Sequence, residues 1–135
     1  AKLNASTPDV NGMSVAAAKD ALSKQNFNAR VVGNGDKVIS QYPAKDQSIP
    51  LDGVVILYTE TGNLSTTSTV PDLTGLTLTE ANRTAANAGF NIKVAGTTQG
   101  SGQILSYKQS VAKDTSAETG TIITVYFRSS EVISD

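Results

Sequence analysis

VPDLTG occupies residues 70–75, and TPDVNG occupies residues 7–12. The two phrases stand 63 positions apart and place Pro, Asp and Gly identically. The correspondence continues at that spacing. Ala18 meets Ala81, Phe27-Asn28 meets Phe90-Asn91, Val31 meets Val94 and Gly33 meets Gly96. The offset then grows by five, so that Gln41, Ala44, Lys45 and Asp46 meet Gln109, Ala112, Lys113 and Asp114. Gly53 next aligns with Gly120, with one residue lost, and the extra length of the second copy falls near TTQGSGQ, residues 97–103. An echo held in order across about 50 residues marks an internal repeat, and that repeat decides the fold.

Each copy spells the same small structure. Ser14 and Thr77 are suited to cap a helix, because their hydroxyls accept from backbone N–H groups that have no partner in the first turn. Thr77-Leu-Thr-Glu80 also has the capping-box spacing, whereas repeat one has Ala17 in place of the Glu. Apolar positions follow at i, i+3 and i+7: Val15, Ala18 and Leu22, or Leu78, Ala81 and Ala85. Asn26 and Gly89 are the residue types that best tolerate a left-handed helix terminus. Period two takes over at Phe27-Ala29-Val31 and Phe90-Ile92-Val94. Asn34-Gly35 signals a two-residue hairpin. A strand near Val38 to Tyr42 and a closing strand, GVVILYT at 53–59 or GTIITVYF at 120–127, complete the copy.

The expected class is therefore α+β: two tandem small domains, each with one helix packed on a three-stranded antiparallel sheet. The boundaries expected are 1–59 for the first domain, 60–69 for a polar linker (ETGNLSTTST), 70–128 for the second domain and 129–135 for a tail. A unit of this size buries only about 60% of its unfolded surface and is marginal alone.

Composition narrows the chemistry. Formal net charge is −1 in 135 residues, which gives no electrostatic reason to expect nucleic acid. The chain has no Cys and no His. Disulfides, thiolate metal sites and Ser-His catalysis are thereby excluded, and no metal or cofactor is expected. No transpeptidase set of S-x-x-K, S-x-N and K-T-G is present. Asp9 and Asp72 could be imagined as a two-carboxylate hydrolase pair. Both lie in P-D-x-x-G, where Asp beside Pro organises a turn, and that reading is preferred. The Gly-rich stretches match neither phosphate-binding pattern. No apolar run approaches the roughly 20 residues needed to span a bilayer. The opening Ala1-Lys2-Leu3 carries no signal-peptide pattern, and the expectation is a piece of a longer protein.

The order of these elements resembles the PASTA domain family. TPDVNGMS, NFNARVVGNGD, QYPAKD and GVVILYT carry the resemblance in the first copy; VPDLTGLT, GFNIKVAG, QSVAKD and GTIITVYF carry it in the second. Val111 departs from the usual Pro, and Asp46 and Asp114 stand where the family prefers Gly. The resemblance implies a module outside the cytoplasmic membrane, in the cell-wall zone of Gram-positive bacteria. It implies attachment to a class B penicillin-binding protein, a peptidoglycan transpeptidase, or to a membrane serine/threonine kinase. Two copies, the Ser/Thr-rich linker and ILYTE look more like the penicillin-binding proteins, sporulation types included. The implied partners are peptidoglycan or muropeptides, bound weakly, together with the parent transpeptidase domain. Membrane contact would come only through the parent's anchor. The alternatives are a structural pedestal that binds no ligand, and the sensor region of a kinase.

A ligand with carboxylates and amides calls for Arg or Lys beside side-chain amides. Gln41, Tyr42 and Lys45 meet that need in repeat one, and Tyr107, Gln109 and Lys113 in repeat two. Arg83 joins them from the exposed side of the second predicted helix. Tyr42 and Tyr107 are the two aromatics expected to be available as platforms. The competing reading makes all seven ordinary surface residues.

Overall fold

The computed structural model describes residues 4–62, 66–97 and 102–129. Among the described residues each repeat forms one helix and five strands. Repeat one contains β1 (Asn4–Ser6), α1 (Val15–Lys24), β2 (Asn28–Val32), β3 (Ser40–Tyr42), β4 (Ser48–Pro50) and β5 (Val54–Tyr58). Repeat two contains β6 (Thr67–Thr69), α2 (Leu78–Ala88), β7 (Asn91–Gly96), β8 (Ile104–Gln109), β9 (Ser116–Glu118) and β10 (Ile122–Ser129). The α+β class holds, with a small sheet and a helix in each copy.

The helices start and stop where their sequences direct. The Ser14 hydroxyl accepts from Ala17 N, and the Thr77 hydroxyl accepts from Glu80 N. Glu80 completes the capping box by accepting from Thr77 N at 3.0 Å. Asn26 (φ 64°) and Gly89 (φ 93°) adopt the left-handed conformation that ends each helix. The next residue then folds back: Phe27 N donates to Leu22 O, and Phe90 N to Ala85 O. This places Phe27 in one core with Ala18, Leu22, Val55 and Leu57, and Phe90 in the other with Ala81, Ala85, Ile123 and Val125.

Strand sense differs from the all-antiparallel expectation. The sheets run β2-β5-β3 and β7-β10-β8. β5 is parallel to β2 and antiparallel to β3, and β10 repeats that arrangement with β7 and β8. Asn34-Gly35 therefore makes no hairpin, since β2 and β3 lie on opposite sides of β5. The intervening chain instead crosses to the helix start, where Lys37 bridges Ser14 and Val15 N donates to Asp36 O. The physical reason lies in VVILY. All five residues of β5 are buried, and such a continuous apolar run belongs in the middle of a sheet covered on both faces.

The repeat register also differs from the Gly53–Gly120 match. Asn28 pairs with Val54 and Asn91 with Ile122, so the offset of 68 persists through the last strand. Asp52 (φ 67°) thus corresponds to Gly120 (φ 99°), and both serve the turn before the central strand. Asp46 and Asp114 likewise hold positive φ, at 69° and 66°. That conformation favours Gly, and Asp is among the residues that tolerate it. Two further two-stranded ladders, β1-β4 and β6-β9, escaped the sequence reading. β6 falls at the end of the stretch read as a linker. Within that stretch residues 63–65 lie outside the described residues, as do 98–101 of the long loop and 130–135 of the tail.

The two repeats meet face to base. The outer face of the first sheet (Val54, Ile56 and Tyr58, flanked by Val32 and Tyr42) is an apolar layer separate from the helix-covered core. The base of repeat two lies on it. A Cβ on Gly120 would sit 2.7 Å from the Tyr42 ring and 3.1 Å from Ile56. The Tyr58 hydroxyl accepts from Thr66 N at 3.2 Å. Asn91, fully buried, bonds both the N–H and the C=O of Val54.

Candidate functional site

The P-D-x-x-G loops are turns. Asp9 accepts from Asn11 N, and Asp72 accepts from both Thr74 N and the Thr74 hydroxyl. The Thr74 hydroxyl, followed by its backbone N–H, lowers the Asp72 carboxyl below its ordinary value. Each loop closes on a Gly with positive φ, Gly12 or Gly75.

Gln41 and Gln109 hold those loops against the sheet. Val10 N donates to Gln41 Oε1 at 2.7 Å, and Gln41 Nε2 donates to Pro8 O and Pro43 O. Leu73 N donates to Gln109 Oε1 at 2.7 Å, and Gln109 Nε2 donates to Pro71 O and Val111 O. Both N–H groups and the oxygen of each amide are thus engaged by backbone. Each makes the same set of bonds at a repeated position, as expected of a clamp that joins two segments.

The other five candidates occupy different surroundings. Tyr42 is half-buried under Gly120 of the second repeat. Lys45 is exposed on the turn before β4. Lys113 is exposed and reaches Asp72 at 3.8 Å. Arg83 lines a depression of about 220 Å³ between the repeats, with Asn28, Asp52, Thr79 and Asn87. Across this seam Asn82 donates to Leu51 O, and Arg30 donates to Asn87 O at 3.4 Å. Tyr107 is 43% exposed on the outer face of the second sheet. The seven candidates are therefore spread over both repeats and around the seam.

Tyr107 has neighbours that the sequence reading did not select. Strand pairing shifts between Tyr126 and Phe127, so that Tyr126 faces Lys108 while Phe127 faces Ser106. This bulge leaves Tyr107 as the extra residue, and it shares the outward face with Lys108. The Tyr107 and Tyr126 rings lie 6.4 Å apart at 53°. Arg128 stands 4.6 Å from the Tyr107 centroid, and Lys108 stands 5.2 Å from that of Tyr126. Each contact is worth about 0.5–1 kcal/mol at an exposed site. In ILSYKQ, strict alternation would put Tyr107 and Lys108 on opposite faces, so no sequence signal short of the bulge could have joined them. A groove of about 400 Å³ opens on the same sheet where it nears repeat one, lined in part by Lys93, Thr124, Asn4 and Gln47.

Among the described residues no group of three or more acidic, His or Cys side chains is placed to hold a metal. No helix there is long and apolar enough to cross a membrane.

The PASTA domain family model matches residues 6–61 and 68–129. The chain belongs to the PASTA family and carries two copies of the domain in tandem. No curated protein matches it. Among solved structures it is similar to penicillin-binding protein 2X from Streptococcus thermophilus, at 19% identity and a TM-score of 0.40. That match covers 94% of this chain and 17% of the other. It is also similar to the three-PASTA-domain region of a Ser/Thr kinase from Staphylococcus aureus, at 20% identity and a TM-score of 0.36, covering 90% of this chain and 64% of that one. The entire extracellular region of the Ser/Thr kinase PrkC from the same organism matches at 18% identity and a TM-score of 0.36, covering 91% of this chain and 46% of that one. The chain thus spans less than two thirds of each of these structures.

Proposed function

We propose that this tandem is a non-catalytic, wall-facing module on the outer side of the cytoplasmic membrane. In this reading it belongs to a class B penicillin-binding protein and contacts peptidoglycan fragments weakly while the parent domain performs transpeptidation. The observation that carries the reading is the pair of PASTA matches across almost the whole described chain. The exposed aromatic and cationic side chains of the second sheet support it, because wall peptides offer carboxylates to cations. Contacts between exposed groups are worth little, so the affinity fits the millimolar range, about −4 kcal/mol.

A second reading, a pedestal that packs on the parent transpeptidase and binds no ligand, is favoured by Gln41 and Gln109. Their amides are already committed to backbone groups. Attachment to a kinase as part of its external sensor would use the same wall contact.

Co-sedimentation with purified peptidoglycan sacculi decides between contact and pedestal. Wall contact predicts retention that falls as salt rises from about 50 to 500 mM. Absence of retention at every salt concentration leaves the pedestal. Intact mass after incubation with a fluorescent penicillin should be unchanged, and a covalent adduct would overturn the non-catalytic reading.

A further inference from the structure

The two sheets present chemically different outer faces at equivalent positions. The offset of 68 places Tyr126 where repeat one has Tyr58, Thr124 where it has Ile56, and Lys108 where it has Ser40. Arg128 correspondingly replaces Glu60. In repeat one the face is apolar and buried beneath repeat two. In repeat two the corresponding face keeps one aromatic, carries a second, Tyr107, where repeat one has the equally exposed Ile39, and acquires cations. Tyr107, Lys108 and Arg128 are exposed, and Tyr126 is half-buried. Ile122 keeps an apolar residue at the place of Val54 and packs on repeat one. Beyond it Thr124 replaces Ile56 and the cations follow, so the far part of the face is not built to receive another apolar layer.

The geometry points to this face as the subsite for a carboxylate-bearing wall fragment, with Lys108 and Arg128 as its anion-binding groups. This deepens the proposed wall contact and rests on it. The cations are held over the Tyr126 and Tyr107 rings at 5.2 and 4.6 Å. Stacking orients each cationic head while leaving N–H donors for a ligand, so less side-chain freedom is lost on binding. Among the described residues neither cation has a carboxylate partner within 4.0 Å, in contrast to Lys113 and Lys24. The face continues toward repeat one through the Thr124–Lys93 pair, two residues along the strand from Tyr126. Two residues of strand span about 7 Å. Lys93 there borders the groove of about 400 Å³, whose lining contains no Asp or Glu. A ligand with carboxylates at one end and sugar hydroxyls or amides at the other would find ring-stacked cations at the first end and, at the second, Lys93 among neutral polar groups. Gln41 and Gln109 take no part, because their amides are spent on the loops.

The test is an amide-shift titration of the whole ¹⁵N-labelled chain with a disaccharide-tetrapeptide muropeptide, and in parallel with neutral chitobiose. The expected result is muropeptide shifts centred on Tyr107, Lys108, Tyr126 and Arg128 and reaching Lys93 and Thr124, with little response to chitobiose. Lys108→Gln with Arg128→Gln should weaken binding at least about fivefold, consistent with the loss of two exposed charge contacts. Lys108→Arg with Arg128→Lys should retain most of it. Shifts confined to the Lys45 and Lys113 loops overturn this subsite and leave the wall contact standing. Equal response to chitobiose overturns the role given to charge. A flat titration with both ligands at millimolar concentration overturns the subsite and the wall contact together.

Discussion

The Asn91 side chain treats Val54 as a strand partner would: its Oδ1 accepts from Val54 N at 2.7 Å, and its Nδ2 donates to Val54 O at 2.7 Å. A third bond, to Gly120 O at 3.2 Å, ties this amide to the turn of its own repeat. One buried side chain therefore satisfies polar backbone at the end of β5 that would otherwise lie unpaired beneath repeat two. Asn28 holds the same place in repeat one, yet its amide donates to Asp52 O at the surface.

Asn91→Ala should accordingly cost about 2–4 kcal/mol, since it strands buried donors and acceptors at Val54 and Gly120. Asn28→Ala should cost under about 1 kcal/mol. Urea unfolding of the whole chain measures both. Equal losses would mean that the amide does not join the repeats.

That contrast marks how far the sequence could be read. Caps, helix termini, the P-D-x-x-G turns and the apolar faces of the helices were legible because each depends on residues close in the chain. Ser14, Thr77, Asn26 and Gly89 all sit where local chemistry directs. The second apolar layer was not legible, because the identical Phe-Asn dipeptides at 27–28 and 90–91 give no hint that one Asn is buried and the other exposed. Strand order was partly written in VVILY, whose unbroken apolarity is that of a central strand. The Asn34-Gly35 hairpin signal pointed the other way. It lost because Gly35 closes onto Thr59, donating its N–H to the Thr59 hydroxyl at 3.0 Å, where a Cβ would collide with the Thr59 carbonyl. Of the candidate residues, Tyr107 is singled out by its type alone, and the structure shows it exposed. Its cationic neighbours required the bulge.

We expect fragments 1–61 and 68–135 each to fold, since each holds its own helix, caps and three-stranded sheet. The first fragment should bear the mark of the missing layer. Val54, Ile56 and Tyr58 would become exposed, and such a patch binds hydrophobic dye and favours association. Dispersed amide spectra at 10 °C test folding. Dye fluorescence that falls when the second fragment is added tests the seam. A collapsed spectrum from either fragment would show that the repeats fold only together.

Gln41→Ala and Gln109→Ala should each destabilise the chain by about 2–4 kcal/mol, because each removes three bonds to partly or fully buried backbone groups. Gln→Glu at either position should also be costly, since a carboxylate cannot donate to the Pro8 and Pro43 carbonyls, or to those of Pro71 and Val111. Lys45→Ala, on the exposed turn nearby, should change stability by less than about 0.5 kcal/mol. A thermal or urea series that ranked Lys45 with the glutamines would refute the clamp.

Acid should weaken repeat two at two identifiable carboxylates. Thr74 holds Asp72 below its ordinary value of 3.8, through its hydroxyl first and its backbone N–H second. The Thr77 backbone N–H, then its hydroxyl, holds Glu80 below 4.5. A depressed folded pKa contributes stability that is full above the unfolded value and disappears as pH falls through the folded one. Asp72→Asn and Glu80→Gln keep an acceptor oxygen but cannot ionise. Each variant should therefore be less stable than the parent at pH 6, and the gap should close as pH falls below the ordinary carboxylate values of 3.8 and 4.5. Unfolding midpoints in urea at a series of pH values would show it. A gap unchanged to the acid limit would assign the loss to altered hydrogen-bond geometry, with no contribution from the charge.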